Sequence, residues 1–337
     1  MEDAKVSIIM SVFNTKKEFL DCAIQSILKQ TFKDFEFIII NDGSDKECLD
    51  NILFYKDSRI KIINNEINIG LTKSLNKGLT VATGKYIARM DSDDFSYPTR
   101  IEKQFEYMES HPEIDILGSW VRENDKVRKS CGSVKTEWRY ARMLFDNVGI
   151  YHPTAFIRTD FMKKNNYKYN ENILKAQDFE LWTRCLQNGK MYVFPKVLLE
   201  YRIHEQQISC CKLNEQNYYN NIIRKSLLLK LGIELNELEE NQFINMNVPV
   251  MSANEFESFS KKILMANKQY HVFKNSILKN ELNTKWILHI INSERSERNS
   301  YFKKEYWYHM FSISYYWYMI TIALQKCDLL KKNRETK

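Results

Sequence analysis

The feature that most constrains the fold of this sequence is the alternation of short β-branched apolar runs with stretches of helical periodicity. Apolar residues recur at three- and four-residue spacing between residues 19 and 28 and again between residues 71 and 79. Between and around these stretches lie four runs that read as strands: Val6–Val12, Phe35–Ile40, Lys61–Ile63 and Lys85–Met90. Continuous apolar strands in strand–helix–strand order predict an α/β fold whose mostly parallel sheet is covered by helices on both faces.

Polar clusters follow two of these predicted strands. Asn41-Asp42-Gly43-Ser44 comes directly after one, and Asp91-Ser92-Asp93-Asp94 directly after another. In open sheets of this kind ligands bind beyond the carboxyl ends of the strands. We therefore expect both clusters to line one binding site.

Two familiar phosphate-binding motifs are absent. A dinucleotide-binding loop needs glycines directly after the first strand, but residues 13–18 contain none. A P-loop needs glycines five residues apart before Lys and Ser or Thr, and Gly78 and Gly84-Lys85 do not meet this spacing. The carboxylates of residues 91–94 instead suit Mg²⁺ or Mn²⁺ bridging a diphosphate, with a solvated acidic turn as the alternative.

The chain divides by composition into two parts. It has 337 residues, enough for two domains, and eight of its nine glycines precede residue 190. Beyond about residue 215 the pattern is helical, with a capping box at Ser252 and Glu255. We predict an α/β domain over residues 1–212 and a mainly helical domain over residues 213–337, the latter a candidate for membrane or acceptor association.

The last part of the chain is basic and aromatic. The net charge is +7, and residues 295–337 carry nine basic against four acidic side chains. Within them, Tyr306–Gln325 has no formally charged residue and is flanked by lysines. Its length allows a transmembrane span, its five tyrosines favour the headgroup level, and a helix packed within the protein remains the third alternative.

Cysteine usage and the start of the sequence point to a reducing compartment. The seven cysteines include no CxxC pair, and the first residues do not form a signal peptide. We expect a cytoplasmic protein that is peripheral on the cytoplasmic face of the membrane if the basic end binds anionic lipid.

Four motifs in order give this sequence a family resemblance. They are Val6-Ser7-Ile8-Ile9-Met10-Ser11-Val12-Phe13-Asn14, Asn41-Asp42-Gly43-Ser44, Asn68-Ile69-Gly70-Leu71, and the segment from Gly84 to Asp94. Together they resemble family 2 glycosyltransferases of the GT-A fold, inverting enzymes that build bacterial surface polysaccharides. The resemblance covers roughly residues 4–210. It makes residues 1–212 the nucleotide-sugar-binding and catalytic domain.

The resemblance implies a nucleotide-sugar donor, usually UDP-linked, and a Mn²⁺ or Mg²⁺ cofactor. It places Ser11, Phe13 and Asn14 around the base, with Phe13 where the family commonly has Tyr. Asp42 would accept the N3–H of uracil, and Asp91 would contact the ribose. The remaining implied donor contacts are Lys73, Ser92, Trp182 and Arg202, with a solvated lysine as the alternative for Lys73 and a core position as the alternative for Trp182. The implied metal ligands are Asp93 and His204, with a structural role as the alternative for His204.

The segment from Lys175 to Arg184 resembles the family's Glu-Asp-x-x-Leu-Trp motif, with Gln177 replacing Glu. The resemblance makes Asp178 the general base that takes the proton from the acceptor hydroxyl. Helical spacing around Asp178 predicts that it lies in the first turn of a helix, whose dipole would keep the carboxylate ionised. A helix-terminal charge without a catalytic role is the alternative.

Tyr201-Arg202-Ile203-His204 resembles a segment that closes many such sites, whereas His152-Pro153 is interpreted as structural. The expected reaction transfers a hexose from the nucleotide sugar to a saccharide or lipid-linked acceptor. Two alternatives remain: a polyprenyl-phosphate sugar synthase of the same fold, and a non-catalytic sugar- or nucleic-acid-binding module. We expect no nucleic-acid partner.

Overall fold

A computed structural model describes residues 4–129, 135–204, 213–246 and 251–292. Within these ranges the elements follow the chain in this order: β1 (Val6–Val12), α1 (Lys17–Leu28), β2 (Phe35–Asp42), α2 (Lys46–Phe54), β3 (Ile60–Asn65), α3 (Leu71–Val81), β4 (Tyr86–Asp91), β5 (Phe95–Ser96), α4 (Arg100–Ser110), β6 (Ile116–Glu123), β7 (Lys126–Arg128), α5 (Thr136–Met143), β8 (Phe156–Arg158), α6 (Thr159–Lys164), α7 (Gln177–Asn188), β9 (Met191–Glu200), α8 (Leu213–Lys230), α9 (Glu237–Ile244), α10 (Ala253–Tyr270) and α11 (Asn275–Asn292). A short 3₁₀ helix, His152–Thr154, precedes β8.

The strands form one sheet in the order β3-β2-β1-β4-β8-β6-β9-β5, with β7 paired to β6. The first four of these strands are parallel, as predicted. Beyond β4 the sheet is mixed, because β8 runs antiparallel to both β4 and β6 while β9 runs parallel to β6. The parallel strand pairs are the longest, and the antiparallel pairs are short. The sheet is therefore mostly parallel.

Helices cover both faces of the parallel half, and the alternation of side chains along β1 explains how. Ile8 and Met10 belong to the core cluster that contains the buried face of α1. Ile9 points to the other face, where α3 approaches so closely that a Cβ at Gly78 would come within 2.6 Å of its side chain. The predicted two-sided covering of the sheet is therefore confirmed.

β9 was not predicted, and its sequence shows why. Pro195 lies in the middle of the strand and cannot donate to a ladder. The pairing with β6 shifts at this point, from Ser119 opposite Phe194 to Trp120 opposite Val197, so Pro195 and Lys196 fall in an irregularity. A proline that normally argues against a strand is accommodated by the bulge.

The contacts divide the chain into two compact units, Met1–Ile223 and Arg224–Lys337. This division falls inside α8, whereas the predicted domains 1–212 and 213–337 stay a prediction. In the second unit the capping box predicted at Ser252 and Glu255 is present and begins α10. Phe256 of α10 packs against Trp286 of α11, with ring centroids 5.1 Å apart.

None of the helices in the described ranges combines the length and the apolar character that crossing a bilayer would require. The segment Tyr306–Gln325, for which a membrane contact was predicted, lies outside the described residues.

Candidate active site

The carboxyl ends of the parallel strands open onto a cleft of about 1010 Å³. The register aligns these ends: Ser11 of β1 lies opposite Asp91 of β4, and Asp42 of β2 lies opposite Asn65 of β3. Ser11, Asp42 and Asp91 all line the cleft. The expectation that the two polar clusters share one site is met.

Asp42 is buried at the end of β2 and is held by three hydrogen bonds. Its Oδ1 accepts from Asn65 Nδ2 at 2.8 Å and from the backbone N–H of Ile69 at 3.0 Å. Its Oδ2 accepts from the N–H of Gly70 at 3.0 Å. These bonds fix the carboxylate in one orientation, and Oδ2 retains capacity for a second donor.

The turn after β1 forms the neighbouring wall of the cleft. Phe13 is 49% exposed there, which leaves a ring face available for stacking. Asn14 has a positive φ of 47° and is bonded to the segment after β2, because its N–H donates to Ser44 Oγ at 3.2 Å and its Oδ1 accepts from Asp45 N at 2.8 Å. Lys73 of α3 also lines the cleft and is exposed, so its ammonium can reach a bound anion.

The acidic cluster after β4 has a buried counter-ion in the same strand. Arg89 is 3% exposed and forms an ion pair with Asp91, the next residue on the same face of the strand. Burial raises the pKa of Asp91, which Arg89 opposes and Asp93 reinforces. Ser92 is joined to the turn after β1 through a 2.7 Å hydrogen bond to Thr15.

The segment after β9 closes over this cluster. The backbone N–H of Arg202 donates to Asp94 Oδ1 at 3.0 Å, and its guanidinium donates to the Asp93 carbonyl at 3.1 Å. Arg202 also donates to Cys22 Sγ, so it is committed to protein partners and does not line the cleft. The structure thus gives Arg202 a bracing position in place of the direct donor contact predicted for it.

His204 and Asp93 both line the cleft and meet there, with His204 Nε2 2.8 Å from Asp93 Oδ2. A carboxylate and an imidazole nitrogen are both ligands for a divalent cation, and the two predicted metal ligands are thus brought together. Among the described residues no group of three or more His, Cys, Asp or Glu side chains could hold a metal. A pair of protein ligands fits a metal whose remaining positions are filled by diphosphate and water.

Asp178 is the second residue of α7 and lines the same cleft, in the first helical turn as predicted. Ala176 before it has a φ of 62°, a left-handed conformation that is strained for alanine. The helix was expected to keep Asp178 ionised, and burial acts in the opposite direction. Burial raises its pKa, which outweighs the opposing hydrogen bonds from the backbone N–H groups of Asp178 and Phe179.

Trp182 does not line the cleft, so the structure places it in the core, the alternative to the predicted donor contact. Its side chain is fully buried one turn after Asp178. The cleft-lining loop at Gly149 packs directly on it, and a Cβ there would come within 2.4 Å of Trp182 Cδ1. Trp182 therefore supports the wall of the cleft from behind.

Sequence reasoning gave no role to two further residues of this region. Arg89 lies in the motif from Gly84 to Asp94, and its i, i+2 spacing to Asp91 on a strand indicates that the two side chains share a face. His152 was interpreted as structural, yet it lines the cleft. No local pattern marked it, because its neighbours there come from distant parts of the chain.

Comparison with known proteins finds related glycosyltransferases. The model of the family "Glycosyl transferase family 2" matches residues 7–173. An uncharacterized glycosyltransferase of Methanocaldococcus jannaschii is 36% identical over 228 residues, which cover 65% of this chain and 78% of the relative. Escherichia coli WfaP, a UDP-Glc:α-D-GlcNAc-diphosphoundecaprenol β-1,3-glucosyltransferase, is 32% identical, covering 68% of this chain and 87% of its own.

Solved structures agree on the fold. Residues 1–349 of S. aureus TarS, crystallised with UDP-GlcNAc, superimpose with a TM-score of 0.58 at 18% identity, covering 88% of this chain and 91% of theirs. The predicted GT-A-type α/β fold with a helical C-terminal region is confirmed by this likeness. From the shared motifs, the strand-end carboxylates and the relatives of matching length, we conclude that this chain is a glycosyltransferase and belongs to glycosyltransferase family 2.

Proposed function

We propose that this glycosyltransferase moves a hexose from a UDP-sugar to a saccharide or lipid-linked acceptor, with inversion and with a divalent metal, in the synthesis of a surface polysaccharide. The observation that carries the proposal is a single cleft lined by Asp42, Asp91 and Asp93 at the strand ends and by Asp178 at the start of α7. The names of two similar proteins support it, since WfaP uses UDP-Glc with a lipid diphosphate acceptor and TarS was crystallised with UDP-GlcNAc.

The uridine is assigned to the pocket between the ends of β1 and β2. Asp42 Oδ2 accepts the N3–H of uracil, for which its fixed orientation prepares it. The exposed ring of Phe13 stacks on the base, while Ser11 and Asn14 contact the nucleoside. Asp91 accepts from a ribose hydroxyl, and Ser92 and Lys73 lie where they can contact the rest of the nucleotide.

The metal is assigned to Asp93 and His204, whose ligand atoms already converge. A bound Mn²⁺ or Mg²⁺ would neutralise the charge that develops on the UDP leaving group. Arg202 holds this arrangement together, because it ties the segment of His204 to Asp93 and Asp94 through its own hydrogen bonds.

Asp178 is assigned as the general base. Its carboxylate removes the proton from the acceptor hydroxyl while that oxygen attacks the anomeric carbon, and a single displacement without an enzyme nucleophile inverts the configuration. A raised pKa suits a base that must hold this proton in the transition state. Glu180 is not a competitor, because both of its carboxylate oxygens are paired with Arg184 at 2.7 Å.

The proposal is tested by measuring UDP release from a panel of UDP-sugars, with and without saccharide and lipid-diphosphate acceptors, in Mn²⁺ and in EDTA. We expect metal-dependent UDP release that an acceptor accelerates, and a product of inverted anomeric configuration. Transfer only to a polyprenyl monophosphate would favour the synthase alternative. Binding of a sugar nucleotide without turnover on any acceptor would contradict the enzymatic assignment.

A lipid-linked acceptor would bring the enzyme to a membrane, and we propose that the C-terminal segment provides a peripheral attachment at the cytoplasmic face. The support comes from sequence alone: nine basic and four acidic residues over 295–337, around the uncharged Tyr306–Gln325. Near an anionic surface each basic residue contributes about 1 kcal/mol. Co-sedimentation with anionic liposomes should therefore occur at low salt and require residues 300–337, and equal binding of the truncated protein would contradict it.

A further inference from the structure

His152 begins a rigid turn beside β4. The backbone N–H of Arg89 donates to the Ala155 carbonyl at 2.9 Å, and Gln104 Nε2 donates to the Thr154 carbonyl at 2.8 Å. The first bond fixes the turn against β4, two residues before Asp91 ends that strand, and the second fixes it against α4. The position of the His152 side chain along the cleft is therefore set by the sheet.

The imidazole has one protein partner. His152 Nε2 lies 2.7 Å from the hydroxyl of Tyr169, which is 4% exposed. Tyr169 is itself held by Asn76, which accepts from its N–H at 2.9 Å and donates to its carbonyl at 3.0 Å. The other ring nitrogen, Nδ1, makes no hydrogen bond to the described part of the chain, while the residue lines the cleft.

Contacts of the ring and its turn lead to the two elements that carry the groups bracketing the proposed reaction. On one side its turn is bonded to β4, which ends in Asp91. On the other side its ring is 6.2 Å from that of Trp182, one turn after Asp178 on α7. A donor whose ribose lies at Asp91 and whose anomeric carbon faces Asp178 must place its sugar ring between them.

From this position we infer that His152 binds a hydroxyl or N-acyl group of the transferred sugar through Nδ1, with Tyr169 as the residue that orients it. The inference rests on the proposed function and adds a residue that selects the sugar. Burial lowers the pKa of His152 well below its usual value, helped by the Arg89 charge. The ring is therefore neutral and offers one nitrogen to Tyr169 and one to the ligand.

Substitution by the two amides separates the nitrogens. An Asn amide reaches about as far as Nδ1, whereas a Gln amide reaches about as far as Nε2. His152→Asn should thus retain the sugar contact and lose the Tyr169 bond, and His152→Gln should do the reverse. Tyr169→Phe keeps the ring and removes the orienting hydroxyl, and His111→Gln alters a histidine that does not line the cleft.

The measurement is the dissociation constant of UDP and of UDP-Glc, UDP-Gal and UDP-GlcNAc, by calorimetry in Mn²⁺, with thermal unfolding as the check on folding. We expect His152→Gln to weaken the preferred UDP-sugar about tenfold, the effect of losing one neutral hydrogen bond, while UDP binding changes less than about twofold. His152→Asn and Tyr169→Phe should give smaller losses, and the discrimination among the three sugars should fall most in His152→Gln.

Unchanged affinity for every UDP-sugar in both His152 variants would overturn the inference and leave the proposed function intact. An equal loss of affinity for UDP and for the UDP-sugars would also overturn it, since that result would mean that His152 maintains the cleft as a whole and does not contact the sugar. A wild-type protein that binds neither UDP nor any UDP-sugar would refute the proposed function, and this inference with it.

Discussion

Replacement of Asp178 by asparagine is the most informative single test of the proposed chemistry, because it should change activity and stability in opposite directions. Asparagine has nearly the same shape as aspartate but cannot accept the acceptor proton. Removal of a general base slows turnover by about 10²–10⁴-fold, or ~2.7–5.4 kcal/mol of transition-state free energy. Donor affinity should stay unchanged, since Asp178 is assigned to the acceptor.

The stability change follows from the sign of the pKa shift. Burial raises the pKa of Asp178 above its ordinary value of 3.8, so the folded state binds this proton more tightly than the unfolded state. The free energy of unfolding of the wild type therefore falls as the pH rises from the unfolded pKa through the folded one. The amide that replaces this carboxylate carries no charge, so Asp178→Asn should have the higher Tm at pH 7, and this advantage should vanish at pH values below the ordinary pKa.

The pH dependence of kcat gives a second readout. Turnover of the wild type should fall as the pH drops below the raised pKa of Asp178, because the base is then protonated, and this acidic limb should be absent from the residual activity of Asp178→Asn. Glu180→Gln is the matched control, since Glu180 is paired with Arg184, and it should retain near wild-type kcat. A loss of less than tenfold in kcat for Asp178→Asn, or a collapse of donor binding, would refute the role of base.

Three further changes have expected outcomes. Asp93→Ala should raise the activation free energy of Mn²⁺-dependent turnover by several kcal/mol, because the metal no longer stabilises the transition state, while the Tm stays unchanged. Wild-type turnover that persists in EDTA would contradict this. Gly149→Ala places a Cβ within 2.4 Å of Trp182, so it should lower the free energy of unfolding, measured by chemical denaturation, by about 1–3 kcal/mol and should also lower kcat. An unchanged denaturation midpoint would show that the loop moves freely. Ser252→Ala removes the cap of α10 and should destabilise the protein by about 1 kcal/mol without changing UDP affinity, which a binding assay at constant temperature would check.

Strands and site carboxylates were predictable where one local pattern determined them. The apolar run Val6–Val12 is β1 with the same bounds, and the aspartates at positions 42 and 91 end β2 and β4 because polar residues follow buried runs at the sheet edge. Parallel register then brings these ends together without further information. The site is therefore largely encoded by strand ends.

What the sequence could not show depends on burial by distant segments. The helix position of Asp178 was predicted correctly, but the rise of its pKa was not foreseen, because the helix dipole is a local property whereas burial comes from the rest of the fold. For the same reason, a cleft position was predicted for Trp182 and a structural position for His152, and the structure has the opposite arrangement. An aromatic residue in the motif is fully buried, and a histidine outside the motif reaches the cleft.

The proposed donor is an anion although carboxylates line the cleft, and the charges around Arg89 indicate how the cleft would bind it. Arg89 is a permanent cation beneath the cleft, with Nε and Nη1 buried and without hydrogen-bond partners among the described residues. Its charge opposes the effect of burial on the pKa of Asp91, Asp94 and Asp178, so it favours their ionised forms. Ionised carboxylates repel a diphosphate but attract a divalent cation, whose two charges cancel those of the diphosphate ester. In the proposed function, this buried arginine would therefore make donor binding depend on the metal, and its charge would favour the ionised form of Asp178 that the role of base requires, against the effect of burial.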